Sequence, residues 1–139
     1  MPWKAHPCLI ASLLCLIMAA LCNSVMDTLQ FHYSKSVFAK APELSQRWWN
    51  PAVSWKNKYQ DRDVTRGEAF PFSSTALVGF TDAWHFFKSI MLDCIILAIL
   101  FPAAQLIGLR WQGMILAFVF FKLVFGLVFE CGFTLLFVY

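Results

Sequence analysis

Long apolar runs alternate with one polar stretch along this chain. No charged side chain occurs from Ala5 to Met26; from Ser89 to Leu109 there is only Asp93; from Trp111 to Tyr139 there are only Lys122 and Glu130. Each run reaches the roughly 20 residues that a helix needs to cross a hydrocarbon core. The pattern predicts an all-α integral membrane protein with three transmembrane helices: helix one, then a tight hairpin of helices two and three, with an aromatic, basic interfacial segment after helix one. The whole chain, 1–139, reads as a single membrane domain.

In helix one, Cys8, Ala11, Ser12, Cys15, Ala19 and Cys22 recur every three or four positions and form a stripe of small side chains. Such stripes let helix backbones approach closely where little hydrophobic drive exists between them. Met26, Leu29, Tyr33 and Val37 continue the period, so helix one is expected over about 7–39, with 7–26 as its membrane part. A positive Lys4 ahead of an apolar run resembles a signal peptide. The length of the run and the poor cleavage site at Cys22-Asn23-Ser24 favour retention.

Pro42, Pro51, Gly67 and Pro71 break any periodicity, so the interfacial segment 40–73 reads as loops and short turns, with Asn50-Pro51 opening one of them. Ser73 or Ser74 is the expected N-cap of helix two, about 74–109, in which Pro102 should produce a kink. Only Arg110 to Gly113 separates it from helix three, about 112–139, where Phe121, Phe125, Phe129, Phe133 and Phe137 form an aromatic ridge.

Composition agrees with this pattern. A 60% hydrophobic and 14% charged chain departs from soluble-domain averages toward membrane proteins. All five cysteines fall inside predicted spans, which argues against a disulfide scaffold. Trp48, Trp49, Trp55, Lys56, Lys58 and Tyr59 suit a lipid interface, and the basic excess makes anionic lipids the expected partners. Nucleic acid is rejected because the net charge is only +3 and acids are interspersed. Eight lysines and arginines from Lys35 to Lys88 put segment 27–88 on the cytoplasmic side of a cell (inner or plasma) membrane by the positive-inside rule.

Few polar groups are left to carry chemistry. Counted from the hairpin, Asp93 and Glu130 share one depth, about 26 Å away, and are candidates with Asp82 and His85 for acid–base catalysis. Asp27, His32, Asp82 and His85 are candidate metal ligands of carboxylate–imidazole type. Lys122 lies about 15 Å into its span and some 12 Å from Glu130, which is too far for direct contact. The three intramembrane charges Asp93, Lys122 and Glu130 therefore call for a partner subunit or a water-filled cavity. The chain names no cofactor: it has no phosphate loop, no zinc-spaced cysteine pairs and no Ser-His-Asp pattern.

The leading expectation is a helix-packing or accessory subunit of a larger membrane assembly, bound to other membrane subunits or to its own copies. One alternative is a membrane-embedded enzyme, metal-dependent or using carboxylate and histidine, acting on a lipid or amphipathic substrate. The other is proton-coupled transport by an oligomer.

Overall fold

A computed structural model describes residues 6–132, with the backbone alone of His6 and Glu130. Lys4, Phe133, Phe137 and the expected end of helix three lie outside the described residues. The secondary structure is helical: α1 (His6–Phe31), α2 (Glu43–Trp49), α3 (Pro51–Ser54), α4 (Ala83–Ile107) and α5 (Trp111–Cys131), with short 3-10 turns between α1 and α4. Three of these helices contain segments long and apolar enough to cross a membrane: Pro7–Phe31, Ala83–Ile107 and Trp111–Phe129.

Helix one stops earlier than its period predicts. The last bond of α1 runs from the His32 N–H to the Thr28 carbonyl, and the chain then tightens into a 3-10 turn at Tyr33–Lys35. The Ser36 N–H and hydroxyl both donate to the Tyr33 carbonyl, at 3.0 and 2.7 Å, and Ser36 itself is extended, so that acceptor is spent on a three-residue turn instead of on the N–H four residues on. Helix two starts later than expected. Ser73 is fully buried with its hydroxyl on the Lys58 carbonyl, 2.7 Å away, and is therefore unavailable as a cap. The cap of α4 is Asp82, whose Oδ1 accepts the His85 N–H at 3.0 Å.

The chain divides into two compact units, which are described separately. The first, residues 19–92, contains the C-terminal part of α1, the polar segment and the start of α4. On α1, Ala19, Cys22, Met26 and Leu29 are buried, one side of the helix at three- and four-residue spacing. The polar segment is more ordered than loops would be. Asn57 donates to the carbonyls of Arg47 and Thr81 at 2.7 and 2.8 Å, and the Arg62 guanidinium donates to the Val53 carbonyl at 2.7 Å. Backbone bonds from Gln60 to Gly67 and from Ala69 to Lys58 close a small hairpin. Glu68 accepts from the backbone of Phe72 and from the backbone and hydroxyl of Ser74; the Ser74 bonds chiefly hold its carboxyl below the usual glutamate range.

The second unit joins the N-terminal part of α1 to α4 from Asp93 onward and to α5. Gly108, at φ +66°, ends α4: its N–H reaches the Gln105 carbonyl and that of Leu109 the Ala104 carbonyl, the paired bonds of a glycine-terminated helix. α5 then starts at Trp111, so the hairpin turn is as short as the sequence predicts. Pro102 sits inside α4 without ending it. A groove of about 480 Å³ between the two helices is lined by Ile96, Ile99 and Leu100 on one side and by Phe121, Phe125 and Phe129, among others, on the other.

A candidate site at the start of α4

The turn Val78–Phe80 approaches α4 so closely that a Cβ on Gly79 would lie 3.4 Å from that of Ser89. It delivers Thr81 and Asp82, both buried, to the head of the helix. The Thr81 hydroxyl lies 2.8 Å from the Val78 carbonyl and 3.1 Å from Asp82 Oδ2. Both Asp82 oxygens face His85 Nδ1, at 2.9 and 2.8 Å, because one turn of helix separates the two residues. Burial pushes the Asp82 carboxyl upward, but the bonds from the His85 ring and backbone, its charge and the Thr81 hydroxyl prevail and hold it below the ordinary aspartate value.

A carboxylate only accepts, so Asp82 assigns a ring proton to Nδ1, and Nε2 is an acceptor whenever it is unprotonated. The Lys58 ammonium stands 3.4 Å from that nitrogen. The result is a continuous chain, Lys58 to His85 to Asp82, with an oriented imidazole at its centre. It borders a cavity of about 280 Å³ lined by Gln30, Pro51, Ser54, Trp55, Asp82, Trp84 and His85. Ser54 is buried, whereas the side chain of His85 keeps 24% of its exposure and is open to a bound molecule.

Of the expected metal ligands, Asp82 and His85 meet. Asp27 is exposed and accepts from Asn23 at 3.3 Å, and His32 is exposed at the end of α1. Among the described residues no three His, Cys, Asp or Glu side chains come together in a way that could hold a metal ion. Of the acid–base candidates, Asp93 lies a little over two turns beyond His85 on α4 and faces a different partner, while Glu130 is described only by its backbone in the last turn of α5.

That partner is Lys122, whose Nζ is 2.7 Å from Asp93 Oδ1. The charge expected to require another subunit is thus neutralised within the chain. From the observed helix ends, Asp93 lies about 21 Å back from Ile107 and Lys122 about 17 Å on from Trp111, a mismatch that the flexible lysine stem spans. Counting both helices from Arg110 and Gln112 hid this, because α4 ends earlier than that count assumes.

The interfacial aromatics separate into two groups. Trp49 stacks on Phe38 with centroids 4.6 Å apart and lies 6.1 Å from Phe87, and Trp48 meets Phe86 edge-on at 6.0 Å, so these two rings pack the polar segment onto α4. Trp55 is exposed, with Tyr59 against its edge and Lys56 over its face at 5.8 Å. Lys58, grouped with these surface residues in the sequence, belongs to the His85 site. Their separation by 27 positions gives no local spacing signal. Compared with known proteins, the chain matches no family model, no curated protein and no solved structure, so its function has to be argued from these groups themselves.

Proposed function

We propose that this chain is a multi-pass protein of a cell (inner or plasma) membrane, spanning it with α1, α4 and α5, and that it packs as an accessory subunit into a larger helical assembly. Residues 27–88 lie on the cytoplasmic side, where the basic residues concentrate. The observation that carries the reading is α5: its most apolar window has no buried residue, and Leu116, Phe120, Leu123, Leu127 and Val128 are all more than 60% exposed. Apolar surface of this extent is suited to lipid and to partner helices rather than to water. The small residues of α1 are a less available contact face than the sequence implies, because Ser12, Ala19 and Cys22 are buried within the chain. The ridge of Phe121, Phe125 and Phe129, beside the α4–α5 groove, is the face left for partner helices or further copies.

Extraction in mild detergent followed by native mass spectrometry tests this. The expected product is a complex larger than the 15.9 kDa chain, reduced to monomer by Phe121→Ala with Phe125→Ala. A homogeneous monomer with no co-purifying protein would sink the proposal.

A second reading, acid–base catalysis on a lipid or amphipathic substrate, is favoured by one observation: the Asp82-oriented imidazole of His85 borders a cavity. His85 would act as the base through Nε2, and His85→Ala should then abolish turnover without changing the oligomer.

A further inference from the structure

A bulky ring is held outward on a strained backbone just ahead of α4. Phe72 has φ +64°, a left-handed conformation that is costly for an aromatic residue, and it is 61% exposed. Glycine would meet the turn's demand without that cost, so the turn alone does not account for the ring. Bonds on both sides fix the conformation. The Phe72 N–H donates to Glu68 Oε2 at 3.0 Å, and its carbonyl accepts from the N–H groups of Thr75 and Leu77 at 3.1 and 2.8 Å. The base of the loop is closed as well: the Ala69 N–H and the Ser73 hydroxyl both donate to the Lys58 carbonyl, at 2.8 and 2.7 Å. From that base Phe70, Pro71 and Phe72 stand exposed.

The surroundings suit a bilayer surface. No charged residue occurs from Ala69 to Thr81, and the Glu68 carboxylate is committed to the N–H groups of Phe72 and Ser74 and to the Ser74 hydroxyl. The hairpin acids Asp61 and Asp63 both face Arg66, at 2.7 and 3.7 Å. Beside the loop, across the Tyr59–Glu68 bridge, Tyr59 meets the exposed Trp55 edge-on and Lys56 lies over the Trp55 ring. An apolar tip flanked by aromatic and basic side chains complements an anionic leaflet, with rings at the boundary of headgroups and acyl chains and the ammonium on phosphates. Asn57 donates to the Thr81 carbonyl at 2.8 Å and so ties the same hairpin to the head of α4, where the apolar segment Ala83–Ile107 begins. A bilayer entered by α4 is therefore the surface within reach of the tip.

We infer that Phe70, Pro71 and Phe72 form a wedge that inserts into the lipid interface of the leaflet from which α4 starts, with Trp55, Lys56 and Tyr59 at the headgroups beside it. This rests on the membrane reading proposed above. The wedge gives that reading a second point of attachment outside the spanning helices, and its rigid backbone means that little ordering remains to be done on insertion.

The test places the photoreactive residue p-benzoylphenylalanine singly at positions 72, 64 and 14 of the full chain, reconstituted in nanodiscs of mixed phosphatidylcholine and phosphatidylglycerol, and identifies the adducts by mass. Position 72 should yield lipid adducts, as should position 14, where the exposed Leu14 lies within the apolar segment of α1. Position 64, the exposed Val64 among the charged residues of the hairpin, should yield few. With the probe moved to position 70, Phe72→Asp should cut the lipid adduct at least about fivefold, as loss of one half-buried large apolar side chain implies. Phe72→Leu should preserve it and guard against misfolding as the cause. If position 14 labels lipid, the wedge alone is overturned by labelling at 72 no stronger than at 64, by adducts at 72 to a second copy or another protein in place of lipid, or by an unchanged adduct in Phe72→Asp. Absence of lipid adducts at position 14 would instead overturn the membrane reading, and the wedge with it.

Discussion

The polar segment between α1 and α4 and the terminal helix α5 are held by opposite means. The polar segment has little regular structure, yet Asn57, Arg62, Ser73 and Glu68 tie distant backbone groups together, and Trp48 and Trp49 pack on Phe86 and Phe87. α5 is one regular helix with its backbone satisfied internally and its side chains largely uncovered, and Lys122 makes its ion pair to α4. The difference teaches where each region takes its stability. Side-chain hydrogen bonds specify a shape in contact with water, whereas α5 is specified by backbone bonds and requires apolar surroundings to be soluble at all.

The comparison breaks most sharply at Asp93 and Lys122. Asp93→Ala strands an ammonium in the apolar hairpin and should cost about 3 kcal/mol, read from unfolding in bicelles against denaturing detergent. Combining Asp93→Leu with Lys122→Met should recover most of that loss, since the pair is neutral only as a pair. Equal losses that simply add would show that the hairpin is in water rather than oil.

Asp82→Ala tests the other region. Losing the cap and the His85 bonds should cost about 1–2 kcal/mol, with unfolding of the polar segment reported by tryptophan emission. The pH dependence follows from the sign of its shift. Because the folded carboxyl lies below the ordinary value of 3.8, its contribution is complete above that pH and is lost as pH falls through the folded value. The wild type should therefore lose stability below about pH 4 more steeply than Asp82→Asn. Gly108→Ala is the mildest case. A Cβ there meets no neighbouring atom, so the expected cost of about 1 kcal/mol comes from the positive φ alone.

What could be read in the sequence follows the same division. Apolar runs are local, so the three long helices and the short turn at Arg110 were legible, as was the small-residue side of α1. The helix ends within the polar segment were not, because they are decided by non-local bonds: Tyr33 turns to Gln46, and Ser73 to the Lys58 carbonyl. At the site, the Asp82–His85 pair was visible as an i,i+3 spacing, while Lys58 became its third member only through the folding of the intervening segment. Asp93 and Lys122 were each recognisable as anomalies. Their pairing depended on where α4 stops, which Gly108 decides.

The ion pair between α4 and α5 has a consequence for biogenesis. On the proposed membrane reading, Asp93 and Lys122 would each be costly in hydrocarbon by itself, and the 2.7 Å pair between α4 and α5 offsets both. On that reading, the two segments would form a single cargo for the ribosome, and a nascent chain halted before Lys122 would be a poor substrate for release into lipid.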